Sequence, residues 1–408
     1  MTKRISRRAV LLFIALFLLM PGCSDRQDAQ DEPDLPDPET NEPPLVEPQP
    51  SPGPEPAQPV EPTPAPKDKI GGENPVIAEG IWQINTSYFT QNNMTVDSIF
   101  VAGDDRVLFF VSSLNADGTV MESSSVYFFS LSTGRFLQQW IDIGIIGVYP
   151  DRVYDDGTVS VVTLDSESYE YREILFIDPQ AMTASAIPAP ADGDIVSLML
   201  SPDKRYAALS TPQGLRVTGL DFSTTYLQIP SETTSAGEEL LPSPTDWSAD
   251  SRLLSFKMAA WESIRTPAIA DIATGEIRAL DALEGNEARF VGQQLFYSGW
   301  YPYLPCGFCT LDGLSPSGTP LTPVGDPNDI CHFSLSAGGA RLAVALQNPD
   351  GCDALVFDSH TGALLSSLPV RGQTFDEAWF TADERTAVFG TASTLEQPKQ
   401  IYVLDFGW

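Results

Sequence analysis

Apolar residues along this chain come in short runs broken by turn formers, and the stretch Ser197–Pro230 shows the pattern most clearly. Its runs are Ser197–Leu200, Tyr206–Ser210, Leu215–Leu220 and Tyr226–Ile229. Between them stand Ser201-Pro202-Asp203-Lys204, then Pro212-Gln213-Gly214, then Asp221 to Thr224. Runs of this length, bounded by Pro, Asp and Gly, predict strands joined by tight turns. Four such strands make one antiparallel sheet.

The pattern recurs. Leu-Ser-Pro-Asp-Lys-Arg-Tyr-Ala-Ala-Leu at Leu200 returns as Trp-Ser-Ala-Asp-Ser-Arg-Leu-Leu-Ser-Phe at Trp247. It returns again at Leu335-Ser336-Ala337-Gly338 and at Phe380-Thr381-Ala382-Asp383-Glu384-Arg385, and Val101 to Phe110 is a looser copy. A second signature follows, an apolar strand and then a turn ending Thr133-Gly134, Thr274-Gly275 or Thr361-Gly362. Two degenerate copies lie near Gly157–Ile187 and Phe290–Thr322. The period is roughly 45 residues, the size of a four-stranded propeller blade. A single sheet cannot bury both of its faces, whereas sheets stacked in a ring can.

Ser-Pro-Asp-x-x-Arg before an apolar strand, with Asp-x-x-Thr-Gly after it, resembles the repeat of the TolB-like, WD-repeat-like β-propellers. The resemblance covers about Gly80 to Trp408, although the Gly-His and Trp-Asp pairs of true WD repeats are missing. It implies an all-β propeller, and the repeat count points to seven four-stranded blades. The last repeat supplies only Ala378–Phe380, Arg385–Gly390 and Ile401–Phe406. An open sheet edge at the ring seam is unfavourable, so the N-terminal run Gly80–Phe89 is expected to pair beside Ile401–Phe406 and close the last blade. The folded body is read as residues 75–408.

The N-terminus has a different pattern. Lys3, Arg4, Arg7 and Arg8 precede the apolar run Ala9–Met20, then Pro21-Gly22-Cys23. The run is too short for a permanent bilayer span, so residues 1–22 read as a cleaved export signal. Gly22-Cys23 resembles the end of a bacterial lipobox, which implies lipidation of Cys23, with Pro21 departing from the usual small residue. An ordinary secretory signal is the competing reading. By the same analogy Ser24 carries no inner-membrane retention signal, so an outer membrane is the expected location where the organism has two.

Residues 23–69 read as the lipidated cysteine and a disordered linker. Ser24–Lys69 holds 14 of the 35 prolines, 12 acidic residues and three basic ones. Such a composition cannot bury enough apolar surface to fold. The formal net charge is −32, with 23 basic against 55 acidic residues. No basic stripe exists, which disfavours nucleic acid and anionic lipid surfaces as partners.

Motifs of chemistry are sparse. His332 and His360 are the two histidines. No nucleophile elbow, phosphate loop or calcium-loop pattern is found, and no cofactor or metal is implied. Cys306, Cys309, Cys331 and Cys352 fall where strand connections open on one face of neighbouring blades. Outside the cytoplasm these four are disulfide candidates. A zinc site with His332 nearby is the alternative. Trp300, Tyr301 and Tyr303, set among prolines beside Cys306, are binding-surface candidates together with His332.

Three function classes remain open. One is a membrane-anchored extracytoplasmic propeller, monomeric, serving as a scaffold that binds an envelope protein or polymer. The others are a propeller enzyme of lyase or hydrolase type using the central channel, and a structural envelope component.

Overall fold

A computed structural model describes residues 63–64, 70 and 72–406, except for 116–120, 145, 166–169, 191–194, 236, 260–266, 281–286, 292–293, 299–305, 311–315, 322–329, 360 and 394–396. Within these residues the strands form seven antiparallel sheets, five of them ordered by simple up-and-down neighbours, while the first and the seventh each also take in a strand from the N-terminal segment. In chain order their first strands are Met94–Ala102, Ile146–Val153, Ser197–Leu200, Glu239–Trp247, Glu287–Val291, Ile330–Leu335 and Phe375–Phe380. The sheets are numbered one to seven accordingly.

The third sheet follows the sequence pattern closely, with strands Ser197–Leu200, Tyr206–Thr211, Gly214–Gly219 and Thr225–Pro230. The repeat motif has a physical basis. The motif hydroxyl accepts the backbone N–H five residues on and donates to the aspartate two residues on. Ser201 accepts from Tyr206 at 2.9 Å and donates to Asp203 at 2.7 Å; Ser248 serves Leu253 and Asp250 in the same way at 2.8 and 2.6 Å. The motif arginine then reaches the aspartate of the Asp-x-x-Thr-Gly turn, as in Arg252–Asp271 at 2.6 Å and Arg341–Asp358 at 2.8 Å. That aspartate also accepts the N–H groups of its own turn. Gly275 and Gly362 close these turns at φ +73° and +69°, where a side chain would be strained.

The seventh sheet joins the two ends of the described chain. Ile81–Ile84 pairs antiparallel with Ile401–Asp405, Ile81 opposite Leu404 and Ile84 opposite Ile401. Val76–Ala78 adds an outer edge strand. The expected strand ends early, because Ser87–Gln91 is a short helix whose Phe89 is buried. Phe89 packs edge-on against Tyr127 and Phe136, so the aromatic pair that reads as strand in sequence caps the core instead.

Much of the core lies between consecutive sheets. Leu215, Val217 and Leu227 of the third sheet pack with Trp247, Leu254 and Phe256 of the fourth. Phe100, Leu108 and Phe128 of the first pack with Val159, Val161 and Leu175 of the second. Ile84, Val388 and Ile401 of the seventh share a cluster with Val96, Ile99 and Phe109 of the first.

Candidate functional site

First strands of consecutive sheets pack against one another, and they carry most of the unusual charge chemistry. The strands bend at β-bulges, where one extra residue re-aims the neighbouring side chains. The pairing register shifts between Val96 and Ser98, Pro150 and Arg152, Pro244 and Asp246, Ile330 and His332, and Phe375 and Glu377. Asp97, Asp151 and Asp376 are the inserted residues in three of these, and Asp246 and Glu377 follow immediately in two.

Three of these carboxylates make the same contact. Asp151 of the second sheet accepts the N–H of Leu200 in the third at 3.1 Å. Asp246 of the fourth accepts that of Phe290 in the fifth at 3.0 Å. Glu377 of the seventh accepts that of Ile99 in the first at 3.1 Å. Each acid satisfies a backbone donor on the first strand of the next sheet, a donor that the packing of the two sheets would otherwise leave unpaired.

The charges are partly balanced within the belt. Lys399, with a side chain only 1% exposed, lies 2.9 Å from both Asp376 and Glu377. Arg152 reaches from the second sheet past the third to Asp246 in the fourth at 2.8 Å. Arg289 of the fifth stands 5.9 Å from the Phe333 ring of the sixth. Burial pushes the Glu377 carboxyl up to about 7 although Lys399 pulls it down. Burial likewise raises Asp151 to about 6, against hydrogen bonds from Ser160 and Leu200 and the charge of Arg152. Asp97 is also raised by burial, opposed by the Ser112 hydroxyl at 2.5 Å and by Lys399. Chemically, Glu377 and Asp151 are carboxyls that burial lets titrate near neutrality, with the side chains of Lys399 and Arg152 beside them.

A second set of contacts ties the turns of adjacent sheets. Lys204 pairs with Asp156 at 2.6 Å, Ser251 accepts the Asp203 N–H at 3.0 Å, and Glu384 accepts the Gly338 N–H at 2.5 Å. Lys204, Ser251 and Glu384 occupy equivalent turn positions at positive φ. Among the described residues, cavities also open elsewhere on the sheets. One of about 370 Å³ is lined by Val370, Arg371, Gln397 and Tyr402, another of about 480 Å³ by Phe176, Asp178, Lys204 and Leu220.

His332 is half-buried on the first strand of the sixth sheet, opposite Ala345, which places it in the belt. Cys331 is the inserted residue of that strand's bulge. Cys306 and Cys309 both lie on Cys306–Thr310, the third strand of the fifth sheet, rather than in the connection before it. Cys352 is buried near the start of the third strand of the sixth sheet. The side chains of Cys306, Cys309 and Cys331 lie outside the described residues, as do Cys23, Trp300, Tyr301, Tyr303 and His360. Among the described residues no group of three or more His, Cys, Asp or Glu is placed to hold a metal ion, and no helix is long and apolar enough to cross a membrane.

No family model and no curated protein matches the chain, so the TolB-like resemblance stands on the quoted motifs alone. Solved structures do match in fold. A prolyl endopeptidase superposes with a TM-score of 0.53 at 12% identity, over 77% of this chain and 48% of that one. The chain therefore spans about half the length of that structure. An oligogalacturonate lyase in complex with manganese gives a TM-score of 0.47 at 13% identity, over 75% and 84% of the two chains. The chain is an all-β protein of propeller type.

Proposed function

We propose that this protein is a propeller of seven blades, closed by Ile81–Ile84 against Ile401–Asp405, that acts as a binding scaffold outside the cytoplasm. Lipidated Cys23 tethers it to a membrane, the outer one where there are two. The observation that carries this reading is the repeated latch: Asp151, Asp246 and Glu377 are each engaged with the backbone of the next sheet. Groups so engaged build a rigid frame, and recognition falls to the connections displayed at the sheet ends. The partner is an envelope protein or polymer, met by Trp300, Tyr301 and Tyr303. Cross-links among Cys306, Cys309, Cys331 and Cys352 stiffen the neighbouring surface.

A pull-down from envelope extract with the full tethered protein tests this. Replacing Trp300 and Tyr301 together by Ala should weaken capture of the partner by about 2 kcal/mol, close to thirtyfold, with little change in melting temperature. Unchanged capture by the double variant would remove these rings from the surface.

A second reading, an enzyme acting through the belt, is supported by Glu377, a carboxyl near pH 7 beside a buried lysine. The prolyl endopeptidase that the fold resembles is an enzyme, but the likeness supports the fold alone. Turnover of glycan or peptide libraries that disappears in Glu377→Gln, with the fold intact, would favour this second reading.

A further inference from the structure

The linker does not end where its composition changes. Thr63 stands opposite Trp140 and Pro64 opposite Gln139, antiparallel to the outermost strand of the first sheet, Arg135–Gly144. This pair adds a fifth strand to that sheet's outer edge. Proline lacks a ladder donor and is tolerated at such an edge position. Further on, Ile70 is 5% exposed and belongs to the core cluster that contains Phe89, Phe129 and Phe136. Asn74 then donates to the carbonyl of Gly134 at 2.7 Å and accepts the N–H of Asn85 at 3.0 Å.

These attachments occur in a telling order. Going forward through 63–64, 70 and 74, the chain meets 140–139, then the cluster of Phe136, then Gly134. An antiparallel strap laid along the edge must meet its partners in that reverse order. Backbone pairing, apolar burial and a side-chain hydrogen bond are three different interactions, and all give one direction along the edge.

We infer that Thr63, Pro64, Ile70 and Asn74 are the anchor points of a strap docked along the outer edge of the first sheet. It covers an edge that would otherwise be open to another chain. It also sets the departure point of the membrane tether at Thr63, beside Trp140, instead of at Lys69. The surface it occupies fits an extended, proline-bearing segment, here supplied in cis. The strap stands independently of what the propeller binds.

Two measurements on the full mature chain test it. In the Pro64→Cys/Gln139→Cys variant, mild oxidation followed by peptide mapping should show a 64–139 disulfide. It should form about tenfold or more faster than the control pair Pro64→Cys/Arg278→Cys, whose second site is on an outer strand of the fourth sheet. Equal rates would overturn the strap. In Ile70→Asp/Asn74→Ala, amide exchange across 135–144 should accelerate about tenfold or more, with 341–348 unchanged. Unchanged exchange across 135–144 would also overturn it. If that variant does not fold, the cross-linking rates decide alone.

Discussion

The junction between the seventh and first sheets and the junction between the second and third use the same latch with different support. At the second, Asp151 accepts the Leu200 N–H and is steadied by the Ser160 hydroxyl at 2.6 Å. At the seam, Glu377 accepts the Ile99 N–H but also faces Asp376 and the buried Lys399. Gly390, its register partner, leaves room for the carboxylate, since a Cβ there would stand 3.0 Å from Glu377 Oε2. An ordinary junction joins sheets that follow one another in sequence. The seam joins segments from opposite ends of the chain, and loop-closure entropy opposes it more strongly. The added ion pair and the strand Ile81–Ile84 fall where that cost is greatest.

The comparison can be broken most severely at the strand. Removing residues 1–84 strips the seventh sheet of Ile81–Ile84 and of buried Ile84. The urea midpoint should fall by the equivalent of about 4 kcal/mol or more, or the cooperative transition should vanish. Removing residues 1–62, which spares both strap and strand, should leave the midpoint unchanged.

Next in size is the seam lysine. Lys399→Ala removes the buried cation that pairs with the largely buried Glu377 and the half-exposed Asp376, and breaking the buried half of that arrangement should cost about 3–5 kcal/mol. Lys399→Met, which fills the space without the charge, should cost less. Asp151→Ala, which strands one backbone donor at an ordinary junction, should cost about 1–3 kcal/mol. Chemical denaturation of the three variants ranks the junctions. A Lys399→Ala loss no greater than that of Asp151→Ala would erase the distinction.

A pH series sharpens the same contrast. Burial holds Glu377 at about 7 and Asp151 at about 6, above their unfolded values of about 4. The folded state therefore keeps protons that the unfolded chain has released. Their contribution to stability is complete below about pH 4 and is lost as pH rises through 6 and 7. Glu377→Gln should flatten the upper part of that decline and Asp151→Asn the lower part. Identical profiles for wild type and Glu377→Gln would contradict the assignment. Smallest of all, Arg252→Ala at the Arg252–Asp271 pair, where the arginine is exposed, should move the urea midpoint less than any of these variants.

Much of the fold is legible in the sequence because its signals are local. Ser-x-Asp turns, Thr-Gly turns and short apolar runs act within a few residues, and the third sheet matches its expected strands almost residue for residue. Pairing of the N-terminal run with Ile401–Asp405 is readable because the last repeat lacks a strand. The helix at Ser87–Gln91 is hidden, since Tyr88 and Phe89 have strand propensity and only tertiary packing overrides it. The strap is hidden by composition, because a proline-rich segment reads as unfolded until an edge accepts it. The acidic belt leaves a faint signal, an acid inside the first strand of a repeat at Asp97, Asp151, Asp246 and Glu377. By alternation alone such an acid reads as solvent-facing, and only the bulge turns it toward the neighbouring sheet. Nothing local announces that Arg152 passes over one sheet to reach Asp246.

Single-amide hydrogen exchange of Ile99, Leu200 and Phe290 tests most directly whether the belt carboxylates are latches. It would be measured in the intact chain and in Glu377→Ala, Asp151→Ala and Asp246→Ala. Each substitution should deprotect its own partner amide, Ile99, Leu200 or Phe290 respectively, well beyond the other two. If all three amides keep their wild-type protection relative to one another, the carboxylates do not hold the sheets together, and the belt is free for chemistry.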